Sequence, residues 1–431
     1  MNLLDKLTAI WRDVDQPFLV SNGRELRFSE IFSNRPVDLS NIQAGDVVAL
    51  IGDFNPDTIL TMLRLIDLGV VIVPLTIETR QQHDYFFQSA LVDVVIENGF
   101  SSRIGQQRSH EFLNPLRLAG HAGLVLFSTG TTGRPKAILH DLTRFLQRFE
   151  TPRPALRTIN FLLFDHIGGI NTLFHTLFNK GVVIAPERRN VDSILEVCGF
   201  YEVEVLPTTP TFLRMMLMSG AVPGKVPACL KVITYGTERM DQPTLDELCR
   251  LLPAVDFRQT FGMSELGIVR VKSEARNSLF MKVGGEGVET RVVDGVLKIR
   301  STTRMIGYLN APSPFDAQYW YDTKDMVEVK EDFYKVVGRV SDVINVGGLK
   351  FMASEVELVA LQYPGISLVT ASPKQNPITG QHVELLVQTV DAQKIDTNAF
   401  TIFLKARLQP HMMPKRIRYD VISVGHRFKK I

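Results

Sequence analysis

The segment Ser128-Thr129-Gly130-Thr131-Thr132-Gly133-Arg134-Pro135-Lys136 supplies hydroxyls, two glycines and a terminal cation directly behind the apolar run Gly123-Leu124-Val125-Leu126-Phe127. That order suits a loop leaving a buried strand to wrap a polyphosphate. Glycine lets backbone N–H groups turn inward without a Cβ penalty, and concave N–H arrays attract anions. The hydroxyls add donors, and the lysine adds a point charge for phosphate oxygens. The segment is not a Walker A loop: Gly130 and Gly133 stand too close together, and no hydroxyl residue follows Lys136. By composition alone, an exposed Gly/Thr turn fits the same residues.

Further segments place chemistry-bearing side chains beside turn residues. Thr260-Phe261-Gly262-Met263-Ser264-Glu265 combines an aromatic, a glycine and a carboxylate after a strand pattern. Its plain reading is a strand end and a turn with an exposed acid. Its functional reading gives Glu265 a Mg²⁺ that bridges ATP phosphates, since Mg²⁺ takes one or two carboxylates plus phosphate oxygens, and stacks Phe261 on adenine. Trp320-Tyr321-Asp322-Thr323-Lys324-Asp325 ends in a carboxylate, and Asp325 alone reads as a surface acid. In Phe164-Asp165-His166-Ile167-Gly168-Gly169 the histidine sits among apolar residues, as core or loop histidines do. Asp165 either caps the next turn, the reading preferred, or meets a cationic substrate group.

These residues need a scaffold, and its pattern is legible. Val47-Val48-Ala49-Leu50-Ile51, Val70-Val71-Ile72-Val73-Pro74 and Asp93-Val94-Val95-Ile96 are apolar strand runs, and Ile59, Leu60, Leu63 and Ile66 recur at helical spacing from Pro56 to Leu68. Apolar strands separated by helices imply a mostly parallel sheet covered on both faces. The pattern recurs at residues 182–185, 203–207 and 230–234, with a helix from Thr211 to Ser219. After about residue 280 short alternating strands flank the hairpin signal Asp294-Gly295, marking a small β-rich subdomain. Another α/β set follows Gly338-Arg339-Val340-Ser341-Asp342: the strand 343–346, a helix from Ala353 to Leu361 and the strand 383–387. The expected fold class is α/β. A large N-terminal domain, residues 1–340, carries mixed, mostly parallel sheets with helices plus the β-rich subdomain. A small mobile α/β C-terminal domain spans 341–431.

Composition bounds the function. At 431 residues the chain exceeds one ordinary core. Its 45% apolar content, 22% charged residues and net charge of +2 are those of a globular protein with no nucleic-acid footprint. Cys198, Cys229 and Cys249 form no CxxC pair and read as small apolar residues in a reducing compartment. Neither a signal-peptide pattern nor a spanning apolar run is visible, so a cytoplasmic location is expected.

Taken in order, these motifs resemble the adenylate-forming superfamily: AMP-forming acyl- and aryl-acid CoA ligases, peptide-synthetase adenylation domains and luciferases. The chain looks most like an acyl-CoA synthetase-type member with a shortened N-terminal region. The 128–136 segment resembles the family's signature loop, and Phe261-Gly262-Met263-Ser264-Glu265 its Tyr-Gly-x-Thr-Glu segment. The resemblance implies that Ser128, Thr129, Gly130, Thr131, Thr132, Gly133 and Lys136 hold phosphates, that Gly236, Thr237 and Glu238 form the turn lining the adenine and acyl sites, and that Phe261, Gly262 and Ser264 flank the nucleotide. Asp325 and Arg339 match the ribose-binding pair, although the family usually has glycine where Lys324 stands. Ser341, with Asp342 beside it, falls at the hinge. Gly347 and Gly348 match the loop that meets a pantetheine thiol, and His166 the histidine between acid pocket and thiol tunnel. Lys430 falls at the catalytic lysine, with Lys429 as competitor.

The implied activity is an AMP-forming acid–thiol ligase. It uses ATP and Mg²⁺, activates a small carboxylic acid, and passes the acyl group to CoA or to carrier-protein phosphopantetheine. An acyl carrier protein is the alternative partner, and a degenerate nucleotide-binding homologue the more distant reading. Phe161, Leu162, Leu163 and Met263 favour an apolar acid over an amino acid.

Overall fold

The computed structural model describes residues 2–128, 134–390 and 394–422. Two seven-stranded sheets form its centre. In the first, Val94–Glu97, Val47–Ile51, Val71–Leu75 and Gly123–Phe127 run parallel, and Ala137–Asp141 turns back antiparallel. In the second, Leu19–Ser21, Val182–Ala185, Arg157–Ile159, Val205–Thr208, Val232–Tyr235 and Asp256–Gln259 are parallel neighbours, with Arg24–Leu26 antiparallel at one edge.

Continuous apolar runs become strands here because both faces are covered. Along Val47–Ile51, Val48 and Leu50 enter the core between the two sheets, whereas Val47, Ala49 and Ile51 enter a separate core on the outer face. Leu124 and Leu126 divide from Val125 and Phe127 in the same way. The helices Pro56–Asp67 and Ile167–Phe178 fill the layer between the sheets. Pro56 at the first turn and Asn55 as N-cap, accepting from Thr58 N at 2.9 Å, set the start of the first of these.

Two expected strands lie slightly later than their apolar runs. The strands are Val205–Thr208 and Val232–Tyr235. Val203 and Leu230, fully or almost fully buried, plug the core from preceding loops, and the Glu204 carbonyl accepts from both Lys231 N and Val232 N. The expected helix starts at Pro210, one residue early, because Thr209 caps it through a hydrogen bond from Phe212 N.

The β-rich portion is a six-stranded antiparallel sheet between Val271 and Arg339, including the hairpin Val288–Val293/Val296–Ser301. A separate two-stranded hairpin, Phe261–Met263/Gly267–Val269, stands between it and the central sheets. Beyond the turn Val340–Asp342, a mostly antiparallel sheet and the helices Ala353–Ala360 and Thr397–Lys405 enclose a core drawn only from residues 344–417. Among the described residues, no helix is long and apolar enough to cross a membrane. All three cysteines are free, and burial beside Cys229 pushes the Cys198 thiol up to about 12.

The division of alternate strand residues between two cores makes a direct prediction. Leu50→Ala should cost roughly 2–5 kcal/mol, read as a lower urea midpoint with an unchanged slope.

Candidate active site

The hairpin Phe261–Met263/Gly267–Val269 presents Glu265 at its turn. Gly262 is required there, because a Cβ would lie 2.7 Å from the Gly267 carbonyl oxygen. The turn is held from several sides. His140, 1% exposed, donates from Nε2 to the Ser264 carbonyl at 2.6 Å. Burial pushes the His140 pKa down to about 4, so it is a neutral donor. Met305 N donates to the Glu265 carbonyl at 2.7 Å. The Tyr308 hydroxyl donates to Glu265 Oε1 at 2.8 Å, and the Tyr321 hydroxyl also engages this carboxylate. Burial, then the Glu265 charge, raises both phenols well above the usual range, so they remain donors.

The stem of the 128–136 loop closes onto the same cluster. Ser128 N donates to the Lys136 carbonyl at 3.1 Å, and Lys136 N to Ser128 Oγ at 3.0 Å. Lys136 Nζ lies 4.9 Å from the centre of the Tyr308 ring, whose hydroxyl holds Glu265. Asn310 braces this stem by accepting from Ala137 N and donating to the Pro135 carbonyl. Thr129, Gly130, Thr131, Thr132 and Gly133 lie outside the described residues, as do Lys429 and Lys430.

A neighbouring cavity of about 560 Å³ is lined by Thr237, Glu238, Phe261, Gly262, Asp325 and Arg339, among others. Asp325 and Arg339 face each other across antiparallel strands, with Arg339 Nε 3.2 Å from Asp325 Oδ1. Burial raises the Asp325 pKa, outweighing the opposing effect of Arg339. Thr237 has φ of +70°, a conformation that strains a β-branched residue, and its buried Oγ1 has no hydrogen-bond partner. Gly236 is dictated by packing: a Cβ would meet Thr260 Oγ1 at 2.1 Å. Lys324 has φ of +62°, which explains why a glycine would suit that position. Its amide and ammonium both bond Asp322, at 3.1 and 2.9 Å.

Several expectations are redirected. His166, not Asp165, is the N-cap of Ile167–Phe178, accepting from Gly168 N through Nδ1 at 3.0 Å. A histidine does this because one imidazole nitrogen carries a lone pair. Glu238 lines the cavity, yet its Oε2 accepts from Thr211 N at 3.2 Å, at the start of the helix Pro210–Met218. Phe261 is 9% exposed and packs largely into the core of the β-rich portion. Phe161 and Leu163 are spent on core packing and carry no information about an acid. Gly347 and Gly348 form an exposed hairpin tip, with φ of +60° and +89°, outside this cavity. Residues with no role assigned from sequence are Tyr308, Tyr321, His140 and Arg239. Nothing local in the sequence showed that the Tyr308 hydroxyl reaches Glu265. Arg239 lines the cavity, where burial lowers its pKa against the opposing charges of Glu357 and Asp241.

The arrangement offers a carboxylate with lone pairs to spare beside a lysine, and an acid–guanidinium pair at the edge of a cleft. Among the described residues no cluster of three or more metal-ligating side chains forms. A cation at Glu265 would therefore take its other ligands from substrate and water, as Mg²⁺ does. Two oriented phenols leave carboxylate lone pairs available, so the donor set fits.

Residues 118–299 match the AMP-binding enzyme family. That match covers 182 of the 431 residues. The matched span includes Lys136, Thr237 and Glu265, while Asp325, Arg339 and the C-terminal core lie beyond it. The chain is 24% identical to 4-coumarate–CoA ligase-like 6 of Arabidopsis thaliana, over 72% of this chain and 60% of that protein. It is 23% identical to the medium/long-chain-fatty-acid–acyl-carrier-protein ligase FadD10 of Mycobacterium tuberculosis, over 88% and 81% of the two chains. The chain thus spans under two thirds of the plant relative's length. ATP-bound MatB from Rhodopseudomonas palustris shares the fold, with a TM-score of 0.80, 19% identity, and coverage of 100% of this chain and 97% of that one.

Two predictions follow from the cavity's geometry. Thr237→Gly relieves strain of about 1–3 kcal/mol against roughly 0.5–1 kcal/mol of added chain entropy. Thermal melts should therefore show a higher midpoint, and a smaller stabilisation by AMP because the hydroxyl is gone. With Asp325 taken as the ribose ligand that the motif resemblance implies, its ionised form is the better hydroxyl acceptor, and its pKa is raised. AMP affinity should thus be full at neutral pH and fall on acidification, starting above the ordinary carboxylate range. In Asp325→Asn titrations, affinity should be lower at neutral pH and nearly flat.

Proposed function

We propose that the chain is an AMP-forming acid–thiol ligase that activates a carboxylic acid with MgATP and passes the acyl group to CoA. One observation carries this reading. The Asp325–Arg339 pair and Thr237 line one cavity, and Glu265, on the hairpin forming its wall, reaches Tyr308 beneath Lys136. A ribose-holding end and a phosphate-holding end thus lie in register for one nucleotide.

In the first half-reaction a carboxylate oxygen of the acid attacks the α-phosphorus of ATP. The bond to the pyrophosphate oxygen breaks, leaving acyl-adenylate. The chain contributes alignment and charge neutralisation. Asp325 and Arg339 hold the ribose, and the 128–136 loop with Lys136 holds the departing phosphates. Glu265, oriented by Tyr308 and Tyr321, offers its carboxylate to Mg²⁺. When bound, that ion neutralises phosphate charge. Lys430 stabilises the pentacoordinate centre, with Lys429 as its competitor for this role. In the second half-reaction a pantetheine thiolate attacks the acyl carbon and AMP leaves.

The exposed position of Gly347 and Gly348 supports a second arrangement, reached by turning residues 341–431 about the 340–342 turn, for thioester formation. The closed bond set at this turn, with Arg339 N and Ser341 Oγ both donating to Asp342 at 3.0 Å, gives it a defined pivot. A holo carrier protein is the second acceptor reading, supported by the acyl-carrier-protein ligase activity for which the mycobacterial relative is named. His166, as a helix cap, is assigned a positioning role beside the acid.

The test is acid-dependent exchange of labelled pyrophosphate into ATP across a broad acid panel. No exchange with any acid would overturn the proposal. Lys430→Ala should abolish exchange while sparing thioester formation from supplied acyl-adenylate, and Lys429→Ala should retain exchange. CoA and holo carrier protein, compared as acceptors, identify the thiol.

A further inference from the structure

A second, larger cavity of about 1330 Å³ lies on the other side of the 261–269 hairpin. Ile268, Val269 and Arg270 of that hairpin and its exit face this rear cavity, whereas Phe261, Gly262 and Met263 face the front one. Other walls come from the helix Leu142–Gln147 and the residues after it, the 285–288 and 302–306 segments, and residues of the 112–121, 171–175 and 313–319 stretches.

Five arginines line this space; Arg144 pairs with Asp141, which leaves the guanidinium groups of Arg148, Arg153, Arg270 and Arg304. Among the described residues none of them has a carboxylate within ion-pair range, although many other arginines of the chain do. Two carboxylates share the lining, Asp141 and Glu286. Asp141 is already committed to His121 Nδ1 at 2.8 Å and Arg144 Nε at 3.3 Å. Glu286 pairs with none of the four. Arg148 is the most committed of them: one Nη donates to the Ile268 carbonyl, and its guanidinium lies 5.1 Å from the Phe145 ring centre. Its other terminal nitrogen, Nη1, is buried without a hydrogen-bond partner. Burial, then the charge of Arg270, pulls the Arg148 pKa down to about 10, which places the two cations in each other's field. Arg304, stacked 4.2 Å from the Tyr319 ring centre, donates only to the Ser301 carbonyl.

Unmatched guanidinium groups in a concave, partly desolvated space attract multivalent anions, and their planar forks match phosphate oxygens. We infer that the rear cavity is a second binding site, separate from the nucleotide cleft, for a small polyphosphate-bearing ligand gripped by Arg148, Arg153, Arg270 and Arg304. Such a ligand would touch the back of the hairpin whose turn carries Glu265.

The probe is inorganic pyrophosphate, titrated in thermal melts without added metal. Lys136→Met weakens the front phosphate site. In that background pyrophosphate should still raise the melting midpoint, and adding Arg153→Gln with Arg270→Gln, both exposed side chains, should remove most of that shift. The inference is overturned if Lys136→Met alone abolishes the shift. It is equally overturned if the triple variant shifts as much as Lys136→Met, which would show that the remaining binding does not use these arginines. Arg153→Gln/Arg270→Gln without the Lys136 change should keep the AMP-dependent shift, showing that the front cleft is intact.

Discussion

The position of one turn, residues 264–266, governs this molecule. A two-stranded hairpin is marginal by itself, so the placement of Glu265 comes from outside the hairpin. His140, from a strand of the first central sheet, anchors the Ser264 carbonyl; Met305 and Tyr308 approach from the loop and strand that follow the β-rich hairpins; Tyr321 comes from the long strand that also carries Asp325. Two sheets thus converge on this turn, since the strand of Tyr308 pairs with that of His140. Because His140 is neutral and both phenols resist ionisation, this frame keeps the same donors across the physiological pH range. The hairpin is also the wall between the two cavities, so whatever binds on one face presses on an element shared with the other.

Two residues near the front cavity adopt backbone conformations that favour glycine, and they differ in compensation. Lys324 is held in its left-handed turn by two bonds to Asp322 and keeps the strand register that brings Asp325 opposite Arg339. Thr237 has no such support, and its hydroxyl is both buried and unpaired. Strain that the surrounding packing enforces but local bonds do not relieve is characteristic of ligand-facing positions.

Much of the architecture was legible because the signals were redundant. Apolar runs such as 47–51 and 123–127 are buried on both faces, so every residue is apolar and the run announces itself. Glycine and proline punctuation bounded the helices well. Errors arose where a buried side chain does not imply a strand residue: Val203 and Leu230 plug the core from loops, which moved two expected strands by two residues. The helix cap was read onto Asp165, by far the commoner residue type there, and falls on His166. Phe161 and Leu163 illustrate the same ambiguity in the site, since apolar residues near a motif serve a core as readily as a pocket.

By itself the sequence determined the element types, their order and the identity of the residues bearing charge and hydroxyls, because these depend on local periodicity, turn chemistry and motif order. The family match spans 118–299, where most of those motifs lie. Tertiary structure decided which groups meet. Asp325 and Arg339 pair only because two strands align in antiparallel register, and Tyr308 reaches Glu265 across a sequence separation of 43. The cluster of unpaired arginines arises from a helix end, a hairpin exit and two loops whose spacing carries no common pattern. Charge balance is a property of space and not of sequence distance, so a chain with net charge of only +2 still concentrates cations in one cavity.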